Sequence, residues 1–309
     1  MINLFNINNY TIDTSKLGNI LHGSVVTQFE EKFAEYVGAK YACFANSASS
    51  LLFLSLLDRH TTIKIPSVMP AVVPNVIVNT HNIIEFYDDI DWVGHKYLLC
   101  DKIYDSAQEV TKDQHKDLND DDAVTIFSFY PTKPVGGCDG GMVVSNNKRT
   151  IDWYKMMVLN GMNYQDNNWE RTQIAPGFKM HGSSVQAYVA YQNLKKLDNK
   201  YDVIDKNIDI YNKAFGLNNT SRHLYRLRVK NNKSFINKMK EQDIVCGIHY
   251  ECCHKKQFFC YDETRLVDYN LPLSELEAQQ TVSIPCHEKL SADDVEKIIK
   301  YALQFKDLK

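Results

Sequence analysis

Six short apolar runs follow one another along the first half of the chain: YACFAN (41–46), TIKIPS (62–67), IIEFYDD (83–89), KYLLCDKIYD (96–105), AVTIFSFY (123–130) and GGMVVSN (140–146). Runs of this length, rich in β-branched and aromatic residues and separated in several places by helical patterns, pack as an α/β sheet with many parallel strands. The helical pattern is clear in TQFEEKFAEYVGAK, where Phe29, Phe33, Tyr36 and Val37 share one face and Gly38 stands in a C-terminal capping position. SASSLLFLSLL reads as a buried helix opened by serines. After about residue 205 the pattern changes to strand HLYRLRVK, helix KSFINKMKEQ, strand VCGIHY and a serine-capped helix SADDVEKIIKYALQF. The expected organisation is a large α/β domain over 1–205 with a mostly parallel sheet, and a smaller C-terminal α/β domain over 206–309.

Charge excludes some partners. With 35 basic and 38 acidic residues, a net charge of -3, the chain has no electrostatic footprint for nucleic acid or an anionic membrane surface. No window approaches the roughly 18 uninterrupted apolar residues of a membrane span, and the first residues lack a basic start followed by an apolar core. A cytoplasmic protein is expected, with no nucleic acid and no membrane as partners. Eight irregularly spaced cysteines fit reduced thiols better than a disulfide framework. In GIHYECCH the adjacent Cys252 and Cys253 lack the usual spacing of metal ligands, so core thiols are expected and no metal.

Ligands on open α/β sheets sit beyond the carboxyl ends of the strands. At those ends FANSASS offers small hydroxyl residues entering a helix, either a phosphate seat or an ordinary N-cap. Asp105 in IYDSAQ is either a helix cap or the partner of a protonated ring nitrogen. Lys133 in FSFYPTK, with Ser128 before it, is an amine able to form a Schiff base if desolvated. Phosphate seat, aspartate and lysine together match the three demands of pyridoxal phosphate (PLP).

The stretches VVTQFEEKFAEYVGAKYACFANSASS, IYDSAQ, FSFYPTKPVGGCDGGMVVSNN, SSVQAYVAYQNLKKLD, GIHY and SIPCHEKLSADDVEKII are similar, in order and nearly in wording, to the DegT/StrS family of nucleotide-sugar aminotransferases. The resemblance covers almost the whole chain. It implies a PLP-dependent transferase of fold type I, acting as a homodimer with active sites at the subunit interface, that converts a nucleotide-linked keto sugar to an amino sugar with L-glutamate as donor.

Under this resemblance Lys133 carries the cofactor, Asp105 pairs with its ring nitrogen, Gln108 faces its phenolic oxygen, and Ser128, Ser49 and the backbone at Ala48 bind its phosphate. His249 and Tyr250, with His223 and Tyr225, border the sugar-nucleotide pocket. The family's dehydrating branch has histidine in place of this lysine, so Lys133 points to transamination. Departures are Ala48-Ser49 for the usual Gly-Thr, Lys179 for an asparagine reaching the partner's phosphate, His181 for an arginine, and Pro70 near a cofactor-stacking aromatic. Lys179, Arg171 and Arg228 are candidate partners of the diphosphate. A strand and helix expected between EFYDDID and KYLLCDKIYD are missing, and a tight turn cannot insert a parallel neighbour, so a reduced sheet is expected. The alternative is a degenerate member that binds a sugar nucleotide or regulates a partner without transamination.

Overall fold

The computed structural model describes residues 1–7, 9–164, 170–262 and 265–307. The strands of the first half are β1 (Tyr41–Ala45), β2 (Thr62–Pro66), β3 (Ile83–Tyr87), β4 (Tyr97–Cys100), β5 (Ile103–Asp105), β6 (Val124–Ser128) and β7 (Gly141–Ser145). Between and after them run helices α1 (Ser24–Val37), α2 (Ala48–Leu56), α3 (Val72–Asn79), α4 (Lys148–Val158), α5 (Ser184–Leu194) and α6 (Leu197–Phe215). Two compact units form: one of Asn8–Arg59 and Lys96–Lys196, the other of Met1–Ile7, His60–His95 and Leu197–Lys309. This division interleaves along the chain, in contrast to the contiguous 1–205 and 206–309 domains expected.

The first unit is built on a five-stranded sheet in the order β1-β7-β6-β5-β4. Only β5 and β6 pair in parallel; the β1–β7, β7–β6 and β5–β4 pairs are antiparallel. The sheet is therefore mixed rather than mostly parallel, and the turn between β4 and β5 gives one reason. Cys100 pairs with Ile103 across a turn made by Asp101 and Lys102, with Asp101 left-handed at φ 44°. So short a connection can join only antiparallel neighbours. Helix α1 covers the sheet with Phe29 and Phe33, fully buried against Phe127 and Phe129 at ring separations of 4.9–5.2 Å. Burial of each such ring contributes roughly 1.5–3 kcal/mol. Gly38 ends α1 in the left-handed conformation at φ 76°, its N–H returned to the carbonyls of Ala34 and Glu35, the geometry that glycine adopts without a Cβ penalty.

In the second unit β2 and β3 pair in parallel, joined by α3. Residues 60–95 belong with the C-terminal part because their polar and aromatic partners lie there. Asp88 accepts from the N–H groups of Leu273 and Ser274 at 2.9 and 2.7 Å, Cys253 donates its N–H to Ser67 at 2.9 Å, and Trp92 stacks on Tyr250. Strand Tyr225–Arg228 pairs antiparallel with Thr281–Ile284, and helix Ala292–Phe305 opens with a capping box between Ser291 and Asp294. No helix among the described residues is long and apolar enough to cross a membrane.

Candidate active site

Lys133 lies in the loop between β6 and β7, just past the end of β6. The loop closes on itself: Lys133 donates its N–H to Tyr130 and Phe129 donates to Gly140, both at 2.9 Å. Asn193 of α5 clamps it from outside by donating to the Gly136 carbonyl at 2.8 Å. Gly136 takes φ 66°, which lets the chain turn back directly after the lysine. The side chain of Lys133 is half-buried, and burial pulls its amine down to about 8 against the opposing attraction of Asp105. An amine so placed is neutral often enough near neutral pH to act as nucleophile and base.

Asp105 is the last residue of β5 and is 5% exposed. Burial raises its pKa, and the opposing influences are an N–H from Ala107, the Tyr97 hydroxyl and the nearby Lys133. Ala107 donates to Oδ1 at 2.9 Å and Tyr97 to Oδ2 at 3.0 Å. Gln108 follows, 4% exposed, in a segment tied by Ser106 donating to the Glu109 carbonyl and Gln114 donating to Ser106. Tyr97 is absent from the sequence expectations, since nothing in KYLLCDKIYD marks a cross-strand partner until the hairpin is known.

The N-terminus of helix α2 lies in the same unit, and its first turn suits an anion. Ser47 is its N-cap and accepts from the Ser50 N–H at 3.1 Å, leaving Ala48 and Ser49 in the first turn. Ala48 is buried and Ser49 half-buried. β7 approaches this turn so closely that a Cβ on Gly141 would lie 2.4 Å from the Ala48 nitrogen. Ser128 ends β6, 9% exposed, and accepts from the Tyr130 N–H at 3.3 Å. The residues present thus fit PLP: a desolvated amine, a buried carboxylate held by two donors, and a helix N-terminus with hydroxyls, all in one unit.

Lys179 lines a cavity of about 570 Å³ together with Arg171, His22, His181, Asn160 and the 19–21 segment. His22 is pushed down to about 4 by burial, then by His181 and Arg171, and its ring lies 4.4 Å from that of His181. Among the described residues no carboxylate lines this cavity, and Lys179 and Arg171 give it a positive lining that favours an anion. His22 was not singled out in the sequence, where an isolated histidine ahead of a helix carries no signal.

The residues expected on the substrate side belong to the other unit. His223, 8% exposed, stacks on Phe5 at 5.5 Å; His249 meets Phe5 at 5.8 Å and its Nδ1 lies 3.0 Å from the Ser283 hydroxyl. Tyr250 stacks on Trp92 at 6.3 Å. Tyr225 differs from its expected place: it is 1% exposed and donates its hydroxyl to Asn212 at 3.0 Å, so it is a core residue of that unit. Pro70 lies ahead of α3, and exposed Arg228 ends the strand of Tyr225. Cys252, Cys253 and Cys260 donate their thiols to the carbonyls of Ser274, Met69 and His254 at 3.1, 3.3 and 3.0 Å, and no metal-ligand cluster occurs among the described residues.

Comparison with known proteins identifies the family and the fold. The profile of the DegT/DnrJ/EryC1/StrS aminotransferase family matches residues 5–101 and 103–302, its single internal break falling in the β4–β5 turn. The UDP-4-amino-4,6-dideoxy-N-acetyl-beta-L-altrosamine transaminase of Campylobacter jejuni is 24% identical over 91% of this chain and 89% of its own. Spore coat polysaccharide biosynthesis protein SpsC of Bacillus subtilis is 24% identical over 93% and 91%. Among solved structures, the aminotransferase PseC of Helicobacter pylori superposes with a TM-score of 0.78 at 18% identity, covering 97% of this chain and 98% of its own. The PLP form of a sugar aminotransferase from Streptococcus pneumoniae superposes with a TM-score of 0.77 at 17% identity, covering 98% and 97%. The chain belongs to the DegT/DnrJ/EryC1/StrS aminotransferase family and is a PLP-dependent enzyme of fold type I.

Proposed function

We propose that the enzyme converts a keto sugar linked to a nucleoside diphosphate into the amino sugar, with L-glutamate as amino donor, as a cytoplasmic homodimer. The observation that carries this reading is a desolvated Lys133 close enough to buried Asp105 for each to influence the other's charge, in the unit that also holds the N-terminus of α2. Bound PLP would supply an electron sink next to the carbon that loses its proton. Asp105 contributes a carboxylate that keeps the ring nitrogen protonated, held by Ala107 and Tyr97. Ser49, Ser128 and the first-turn N–H groups at Ala48 would hold the phosphate, and Gln108 would face the phenolic oxygen. Lys133 Nζ, in its neutral form, accepts the proton from the donor's Cα and later returns one to the carbon that receives the amine.

Lys179 and Arg171 are assigned to anionic groups, the partner's cofactor phosphate or the substrate diphosphate, because the two cations line one cavity. The homodimer rests on the family resemblance and on the exposed Ile20, Leu21, Tyr130 and Ile174, apolar side chains of the lysine-bearing unit. The cytoplasmic location accords with eight free cysteines. His249, Tyr250 and His223 are proposed on the sugar-nucleotide side.

The test is a single turnover of the PLP-loaded protein with glutamate, followed by a panel of GDP-, UDP- and dTDP-linked keto sugars. Conversion to the pyridoxamine form, reversed by one of the sugars, is expected. Protein that binds PLP yet makes no pyridoxamine form with any amino donor would sink the transaminase reading in favour of a binding role.

A further inference from the structure

Tyr97 and Asp105 are direct partners across the β4–β5 hairpin, and the register that pairs them is set by a one-residue bulge between Leu98 and Cys100, just before the tight turn at Asp101 and Lys102. β4 is the edge strand of the sheet and Tyr97 is its first residue, half-buried. Two further bonds fix the start of that strand: the Lys96 N–H donates to Glu109 at 2.8 Å and the Lys96 amine to the Gln114 carbonyl at 3.0 Å. The acceptors in both lie in the segment that follows Asp105. The phenol is thereby held at 3.0 Å from Oδ2 while Ala107 occupies Oδ1.

We propose that Tyr97 is a positioning residue for Asp105, its hydroxyl keeping the buried carboxylate ionised and aimed so that it can hold the proton on the cofactor's ring nitrogen. The inference rests on the assignment of Asp105 made under the proposed function. Its physical basis is the cost of a buried carboxylate, which is ionised only where donors replace water. A carboxylate oxygen has two lone-pair directions, so Oδ2 can accept from Tyr97 and from a ring N–H together. Without the hydroxyl the carboxyl group gains a proton more readily, and a protonated carboxyl competes poorly for the ring proton. The bulge between Leu98 and Cys100 is what brings this donor opposite the aspartate, so the irregularity of the edge strand and the support of Asp105 are one feature.

The experiment compares wild type, Tyr97→Phe, Asp105→Asn and the double variant, each loaded with ¹⁵N-labelled PLP. Two quantities are read: the ring-nitrogen chemical shift as a function of pH, and the PLP dissociation constant by equilibrium dialysis. Tyr97→Phe is expected to move the ring-nitrogen titration to lower pH and to weaken PLP binding roughly ten- to a hundredfold, the range for a hydrogen bond to a charged group. Asp105→Asn is expected to do the same, and the double variant to add little to it. Difluorotyrosine at position 97 keeps the ring in place and strengthens the donor, so it is expected to shift the titration to higher pH. Wild-type titration and affinity in both position-97 variants, with a clear change in Asp105→Asn, would overturn the role of Tyr97. No change in Asp105→Asn itself would instead remove the assignment of Asp105, and the inference with it.

Discussion

Lys133 and Asp105 act on each other's ionisation in opposite senses: the carboxylate raises the amine while burial lowers it, and the amine lowers the carboxyl while burial raises it. Burial wins for both, and the lysine ends at about 8. The lysine amine is therefore close to a proton transfer near neutral pH.

The first consequence is a pH profile. The folded amine titrates near 8, below its ordinary 10.5, so the neutral nucleophile accumulates as pH rises through about 8. The rate at which cofactor-free protein takes up PLP, followed by visible absorbance, should rise across that range and level off above it. Lys133→Ala should show no such band and lose transamination by about a thousandfold or more.

The approach of Gly141 to α2 predicts a local lesion. An alanine methyl there would start 2.4 Å from the Ala48 nitrogen, forcing the helix N-terminus away from β7. Gly141→Ala should destabilise the protein by about 1–3 kcal/mol, as overpacking does, and weaken PLP binding beyond what that loss explains. Denaturant midpoints and equilibrium dialysis separate the two effects.

Glu30, 8% exposed, accepts from the Phe44 N–H at 2.8 Å and from Lys155 at 2.7 Å. Removing the cation strands a buried carboxylate. A fully buried pair would cost about 3–5 kcal/mol on losing one partner, but the Lys155 side chain is 47% exposed. Lys155→Met should therefore cost about 1–3 kcal/mol in urea unfolding, and adding Glu30→Gln should recover part of it.

His115 is 1% exposed, with Nδ1 2.9 Å from the Thr125 hydroxyl and Nε2 without a hydrogen-bond partner. Burial, then Lys96, pushes it down from 6.5 to about 4. A histidine depressed in the folded state binds its proton first in the unfolded chain, so stability falls as pH drops from about 6.5 towards 4. The loss assigned to His115 is on the order of 2 kcal/mol, and His22, also lowered to about 4, acts in the same direction. Thermal midpoints of wild type and His115→Gln should converge as the pH is lowered through that window.

Lys133, Asp105, Gln108, Ser128 and the serines after Asn46 are legible in the sequence because each sits at the end of an apolar run whose strand character is set by its immediate neighbours. Gly38 is legible for the same local reason, as a cap needing no distant partner. The antiparallel pairing of β4 with β5 also follows from sequence, since chain length between two strands limits how they connect. Tertiary structure alone decides the rest. The Tyr97–Asp105 contact depends on strand register, and the cluster of His22, Arg171, Lys179 and His181 gathers residues from three separate segments. The grouping of 60–95 with the C-terminal part depends on Asp88, Ser67 and Trp92 finding partners beyond residue 249. Such pairings join positions far apart in the chain, and local periodicity carries no record of which surfaces meet when the core closes.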